Sequence, residues 1–329
     1  MRATTMTRRQ RVMAALRGEH VDRVPLAFWM HNFATENSAK GLSGETLRLA
    51  RTFDWDYLKP QSRAQGFAEM WGLEYRPSSE RATAYTVTRT PLGSATDLAR
   101  LKPADPLTGA LGEQLEALRA IRAGVGADTP IIWTVFSPMM IVPFLLEGGR
   151  DRALEIARST PTALETALDA ITETLTGYVK ACLDAGADGI FYATNLATRE
   201  LLRADECKRF QRPYDLRVLD AASRAPFNVM HVCGGATNFG EFVDYPVAAF
   251  SWVVERRSAP HRPRGDGRDP GEADDHLDVP GRDRRRVSAA LLDTGGRWLL
   301  LAPDCSVNPD TPEVLMHAAR QARDASAGA

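Results

Sequence analysis

Apolar residues in this chain follow two rhythms: short unbroken runs, and longer stretches in which they return every third or fourth position. The runs predict buried strands, and the stretches predict helices with one apolar face. Strands are expected at 24–29, 56–60, 131–136, 187–192, 227–231, 247–252 and 298–302. Helices are expected at 8–16, 44–53, 111–121, 150–158, 161–185, 205–222 and 312–325, with Pro161 in the favoured first turn. Residues 66–90 break the rhythm, and the alternation from Ala84 to Thr90 predicts a hairpin excursion. Near-continuous apolar strands interleaved with helices require a parallel sheet covered by helices, an α/β fold. Seven strands are one short of a (β/α)8 barrel.

The missing unit falls at 255–286. Those 32 residues hold nine Arg, six Asp, two Glu, four Pro and four Gly, with Leu277 and Val279 as aliphatic core candidates. Such a composition fits a looped or disordered insertion. The preferred reading is a disrupted frame: one nucleotide later, the codons for 274–280 permit an apolar strand. The rest of the chain reads as a single domain.

Composition narrows the class. With 41 basic against 42 acidic residues in 329, nothing favours nucleic acid or an anionic membrane as partner. No apolar run approaches the roughly 18–20 residues that span a bilayer. The basic opening has no apolar core behind it, so it is not the pattern of a secretory signal, and Met6 is a candidate start. Four cysteines without paired spacing predict a reducing, cytoplasmic setting.

The chemistry concentrates at two run ends. His231 and Cys233 are one residue apart at the end of one run, and Cys305 lies just past another. If those strands lie in one parallel sheet, an imidazole and two thiols converge at its carboxyl edge. That donor set suits zinc, with one coordination position to spare. Buried cysteine more often behaves as a small hydrophobe, which is the reading of Cys182 and Cys207. Glu147 and Asp304 are candidates for a fourth ligand. His31, past the first strand, and Tyr192 and Asn195, around the end of the fourth, are candidate catalytic residues at a substrate pocket. Asp188 reads as an anchor for the start of its strand, and Trp133, Trp252 and Trp298 read as core.

Several segments together resemble a known family. The opening 7–25, Ser137-Pro138 with 146–149, 185–190, Arg212-Pro-Tyr214 and 303–312 are similar to the uroporphyrinogen decarboxylase superfamily. The resemblance spans about 7–252 and resumes over 288–325. It implies a (β/α)8 barrel with its site at the carboxyl ends of the strands, one β/α unit being disrupted near 255–286. Within that superfamily the metal-free decarboxylases use an arginine-rich N-terminal loop and an aspartate beyond an early strand. This chain instead has Phe28-Trp-Met-His-Asn-Phe33 and Leu58-Lys-Pro-Gln-Ser-Arg63 there. Lys59 and Arg63 alone are few cations for a substrate with eight carboxylates.

The other branch resembles methylcobalamin:coenzyme M methyltransferases, whose His-x-Cys and later Cys match His231, Cys233 and Cys305. That resemblance implies one zinc per chain, a small thiol as acceptor and a methylated corrinoid on a partner protein as donor. A homodimer is compatible with it. The alternative is a tetrapyrrole substrate: decarboxylation of uroporphyrinogen III to coproporphyrinogen, in porphyrin and haem biosynthesis. A third expectation is an inactive, frame-disrupted member.

Overall fold

The computed structural model describes residues 5–252, 287 and 289–326. Four strands form a parallel sheet in the order β3 (Ile132–Phe136), β4 (Gly189–Thr194), β5 (Val229–Val232) and β6 (Ala249–Trp252). Every residue of the first three is buried, which is why these runs are apolar without alternation. Gly189 is required at its position, because a Cβ there would meet the Phe227 carbonyl at 2.0 Å across the β4–β5 pair.

Three further segments continue the ring. Leu58 bridges Ile131 in parallel, Asp56 N donates to Leu26 O at 2.9 Å, and Leu26 bridges Leu301 in parallel. The order around the barrel is therefore the Leu301 segment, the Leu26 segment, the Leu58 segment, then β3 to β6. All seven expected strand positions take part. The interval between β6 and the Leu301 segment is where an eighth strand belongs. The anomalous stretch 255–286, and with it the frame-disruption reading, lies outside the described residues.

Helices cover the outside. α1 (Arg8–Leu16) starts with a capping box between Thr7 and Gln10, and α2 (Ala39–Phe53) is capped by Ser38 and packs on α5 (Gly109–Val125). In α5, Leu111, Leu115, Leu118 and Ile121 form the buried stripe. α3 (Gly66–Glu69) precedes a two-stranded antiparallel hairpin, β1 (Glu74–Arg76) with β2 (Thr86–Arg89). α4 (Ala95–Leu98), α6 (Pro138–Leu145), α7 (Gly149–Ser159) and α8 (Pro161–Asp184) complete the first half. The single helix expected over 205–222 is two, α9 (Ala204–Phe210) and α10 (Arg212–Ala221). Pro213 has no N–H to donate and so opens a new first turn.

Two tryptophans depart from the core reading. Trp298 is 69% exposed with φ of 54°, because pairing in its segment begins only at Leu301. Trp252 is 45% exposed at the end of β6, the edge of the described sheet. Trp133 is fully buried and donates to the Tyr178 hydroxyl.

The amino end of the barrel is locked by ion pairs. Asp56, fully buried, accepts from Arg11 at 2.7 Å, Arg23 at 3.0 Å, Arg323 at 2.6 Å and the Leu26 amide at 3.1 Å. Arg323 comes from the last described helix, Glu313–Ser326. Asp188, at the foot of β4, accepts from Arg9 and Arg122, each at 2.6 Å, and from the Ile131 amide at 2.8 Å. No helix among the described residues is long and apolar enough to cross a membrane.

Candidate metal centre

His231 and Cys233 have Val232 alone between them, so the two-residue period of the strand directs both side chains to one face. Cys233 N donates to Thr194 O at 2.8 Å, which carries the β4–β5 ladder through the cysteine before the chain turns at Gly234 with φ of 104°. Only a glycine adopts that angle without strain. Cys305 reaches the same place from another direction. It lies between Leu301, bridged to Leu26, and Val307, bridged to Met30, so the first strand sets its position.

The three ligand atoms converge to within 4.8 Å of one another. Cys233 Sγ and Cys305 Sγ are 3.7 Å apart. Two sulfurs bound at about 2.3 Å to one tetrahedral zinc lie roughly 3.8 Å apart, so the observed separation fits a shared metal. His231 Nδ1 is 3.0 Å from Ser251 Oγ on β6. That contact fixes the ring and leaves Nε2 for a metal, the usual way an outer partner orients a ligating histidine. Phe191 stacks on the imidazole at 5.0 Å and shields it.

The thiols influence each other. A hydrogen bond from Cys233, assisted by His231, holds the Cys305 thiol well below its ordinary range. The same hydrogen bond, with burial, pushes the Cys233 thiol far up. The pair is thus set to carry one proton between them, and a soft dication would replace it.

The remaining expected residues fall in different places. Glu147 is exposed beside Gly93, and neither it nor Asp304 belongs to the converging group. Asn195 is exposed in the loop that leaves β4. Tyr192 is corrected: its neighbour Phe191 faces His231, so alternation turns Tyr192 outward, where it is fully buried and donates to Asp215 on α10. Tyr245 donates to the other oxygen of Asp215. Tyr192 therefore leaves the set of residues at the mouth.

His31 is held on both sides, with Nδ1 2.8 Å from Glu36 Oε2 and Nε2 2.8 Å from the Gln61 amide. Gln61 in turn accepts from Lys59. Lys59 was legible only as one of two cations near the second strand; its placement at the mouth was not. Its Nζ lies 5.3 Å from the centre of the Trp29 ring and 4.8 Å from that of Phe191. Arg63, the other cation, is saturated by Glu69 and Glu113.

The fold and this mouth define an α/β barrel enzyme whose carboxyl end gathers one imidazole and two thiols. The chain belongs to the uroporphyrinogen decarboxylase (URO-D) family, whose model matches residues 7–262. It is 23% identical over 254 residues to the methylcobamide:CoM methyltransferase MtbA of Methanosarcina mazei, covering 71% of this chain and 72% of that protein. It is 31% identical over 104 residues to a uroporphyrinogen decarboxylase of an Enterobacter species, 30% of this chain and 29% of that one. Among solved structures, a methyltransferase from Methanosarcina mazei shares the fold with a TM-score of 0.79, 22% identity and coverage of 98% and 99%.

Proposed function

We propose that the chain is a zinc-dependent methyltransferase that activates a small thiol and takes its methyl group from a corrinoid on a partner protein. The observation that carries this reading is the convergence of His231, Cys233 and Cys305 with a sulfur separation of 3.7 Å. The names of the MtbA and MtaA relatives, both methylcobamide:CoM methyltransferases, support it. Zinc held by these three residues would bind a substrate thiol as thiolate at neutral pH, where a free thiol of pKa ~8.5 is mostly protonated.

The chain's own groups prepare the site for that sulfur. Ser251 orients His231, Phe191 covers its ring, and the apolar wall of Trp29 and Phe191 keeps water from the sulfur. His31 acts through Gln61, and exposed Asn195 stands at the rim where a donor arrives. In the transfer, the carbon–sulfur bond forms as the bond between methyl and donor breaks, and the bonding pair leaves with the donor. A cytoplasmic setting keeps all four free cysteines reduced.

Elemental analysis of the purified chain should find about one zinc, lost in Cys233→Ala and in Cys305→Ala, together with methylation of a thiol by methylcobalamin. A metal-free protein that consumes uroporphyrinogen would overturn the reading.

A further inference from the structure

The two sides of the metal centre are held differently. His231 and Cys233 belong to the β5 run, which pairs with β4 on one side and β6 on the other. Cys305 lies in a segment that, among the described residues, is bridged to the first strand alone, through Leu301 and Val307. A thiol supported along one edge needs a second hold if it is to keep its place opposite Cys233, 3.7 Å away.

The hairpin excursion supplies that hold. Its connection between β1 and β2 brings Arg81 to the carboxyl end of the first strand, where Phe33 N donates to the Arg81 carbonyl at 3.1 Å. Each guanidinium nitrogen then meets a different element. Nη2 donates to Met30 Sδ at 3.1 Å, Nε donates to Pro309 O at 3.2 Å, and Nη1 lies 3.7 Å from Glu45 Oε1 on α2. Met30 is the bridge partner of Val307, so the guanidinium touches both chains of the joint that follows Cys305.

Glu45 extends the hold. Burial acts to raise its carboxyl, yet Arg48, Asn32 and Arg81 together keep it below its ordinary range, so it stays charged. Arg48 also donates at 2.9 Å to Glu313, the first residue of the last described helix. Hairpin and α2 are thereby tied to the chain that follows Cys305. Only the planar fork of an arginine serves three such directions at once.

We propose that Arg81 is a positioning residue of the metal centre, acting through the Met30–Val307 joint to keep Cys305 opposite Cys233. The inference rests on the metal-binding reading above and gives the hairpin a part in it.

Cobalt(II) titration of the metal-free chain tests this, because each thiolate bound to cobalt adds to a sulfur-to-metal charge-transfer absorption. Arg81→Gln should weaken cobalt and zinc binding by about tenfold, and its absorption per bound cobalt should fall towards that of Cys305→Ala. Arg89→Gln breaks an exposed ion pair with Glu74 in the same hairpin and should leave both unchanged. Wild-type affinity and absorption in Arg81→Gln, or equal losses in Arg89→Gln, overturn the proposal. If circular dichroism shows Arg81→Gln unfolded, Arg81→Lys serves, since it keeps the charge without the fork and should show the same losses. A second readout needs no metal. Dibromobimane, which bridges neighbouring thiols, should link Cys233 to Cys305 in the metal-free wild type, while Cys182 and Cys207 are buried and stay unmodified. The link should form roughly fivefold more slowly in Arg81→Gln, as the effective concentration of one thiol at the other falls. If the wild type binds neither metal, the metal reading fails, and this rate still decides the role of Arg81: an unchanged rate, or no link in the wild type, overturns it.

Discussion

At the amino end of the barrel, Asp56 is met by three guanidiniums and an amide, and Asp188 by two guanidiniums and an amide. At the carboxyl end, two thiols face each other at 3.7 Å and a buried ammonium lies on two aromatic rings. Both ends bury polar groups, yet at one each carboxylate meets guanidiniums from within the chain, and at the other the two thiols meet each other and the ammonium meets an amide and two rings. Barrels of this architecture place stability at the first end and chemistry at the second. Charge pairing, and not polarity as such, separates the two.

The comparison breaks first at Asp56. Asp56→Ala leaves buried guanidiniums uncompensated and should cost about 3–5 kcal/mol in denaturant unfolding, with zinc content unchanged in the folded fraction. A loss below 1 kcal/mol would mean that the network is not a source of stability. Asp215 is an intermediate case, buried with tyrosine hydroxyls as partners in place of a direct guanidinium. Burial pushes its carboxyl up to about 7. The folded protein keeps this proton where the unfolded chain has lost it, so the associated stability is complete below about pH 4 and is lost as pH rises through about 7. Asp215→Asn should remove that slope, a difference of at most roughly 4 kcal/mol across the window. Parallel stability profiles for the two proteins would contradict the assignment.

Smaller effects belong to the mouth. Cys305→Ala should weaken zinc by at least about a hundredfold, measured against a competing chelator, while shifting the thermal midpoint little. A large stability loss with zinc retained would make the cysteine structural. Ser251→Ala removes the partner of His231 Nδ1 and should weaken zinc by roughly tenfold. Unchanged affinity would show that β5 packing alone orients the ring.

The strands were legible because burial on both faces forces unbroken apolar runs, and all seven found their places in the ring. The same burial hid which face each residue takes. Tyr192 and Phe191 are equally apolar neighbours, and only the register with β5 shows that Phe191 faces the centre. The three candidate ligands were legible by type and run end. The Arg-rich composition before Cys305 offered no strand to place it, but the first strand supplies the hold through Leu26 and Met30. Lys59 was harder to see, because a single lysine after a leucine gives no sign in sequence of rings closing over it. A charged residue ending an otherwise buried strand was the available signal.

The Asp56 cluster also bears on the order in which the chain takes shape. Arg11 and Arg23 are within the same first sixty residues as Asp56, but Arg323 is 267 positions away. Chain closure over such a span costs only slowly more than over a shorter one, yet it waits until residue 323 has been made. A nascent chain can build its first strands and hold Asp56 with two guanidiniums. Joining α1 to the last described helix around that carboxylate then follows these earlier contacts, and a chain released before residue 323 never reaches it.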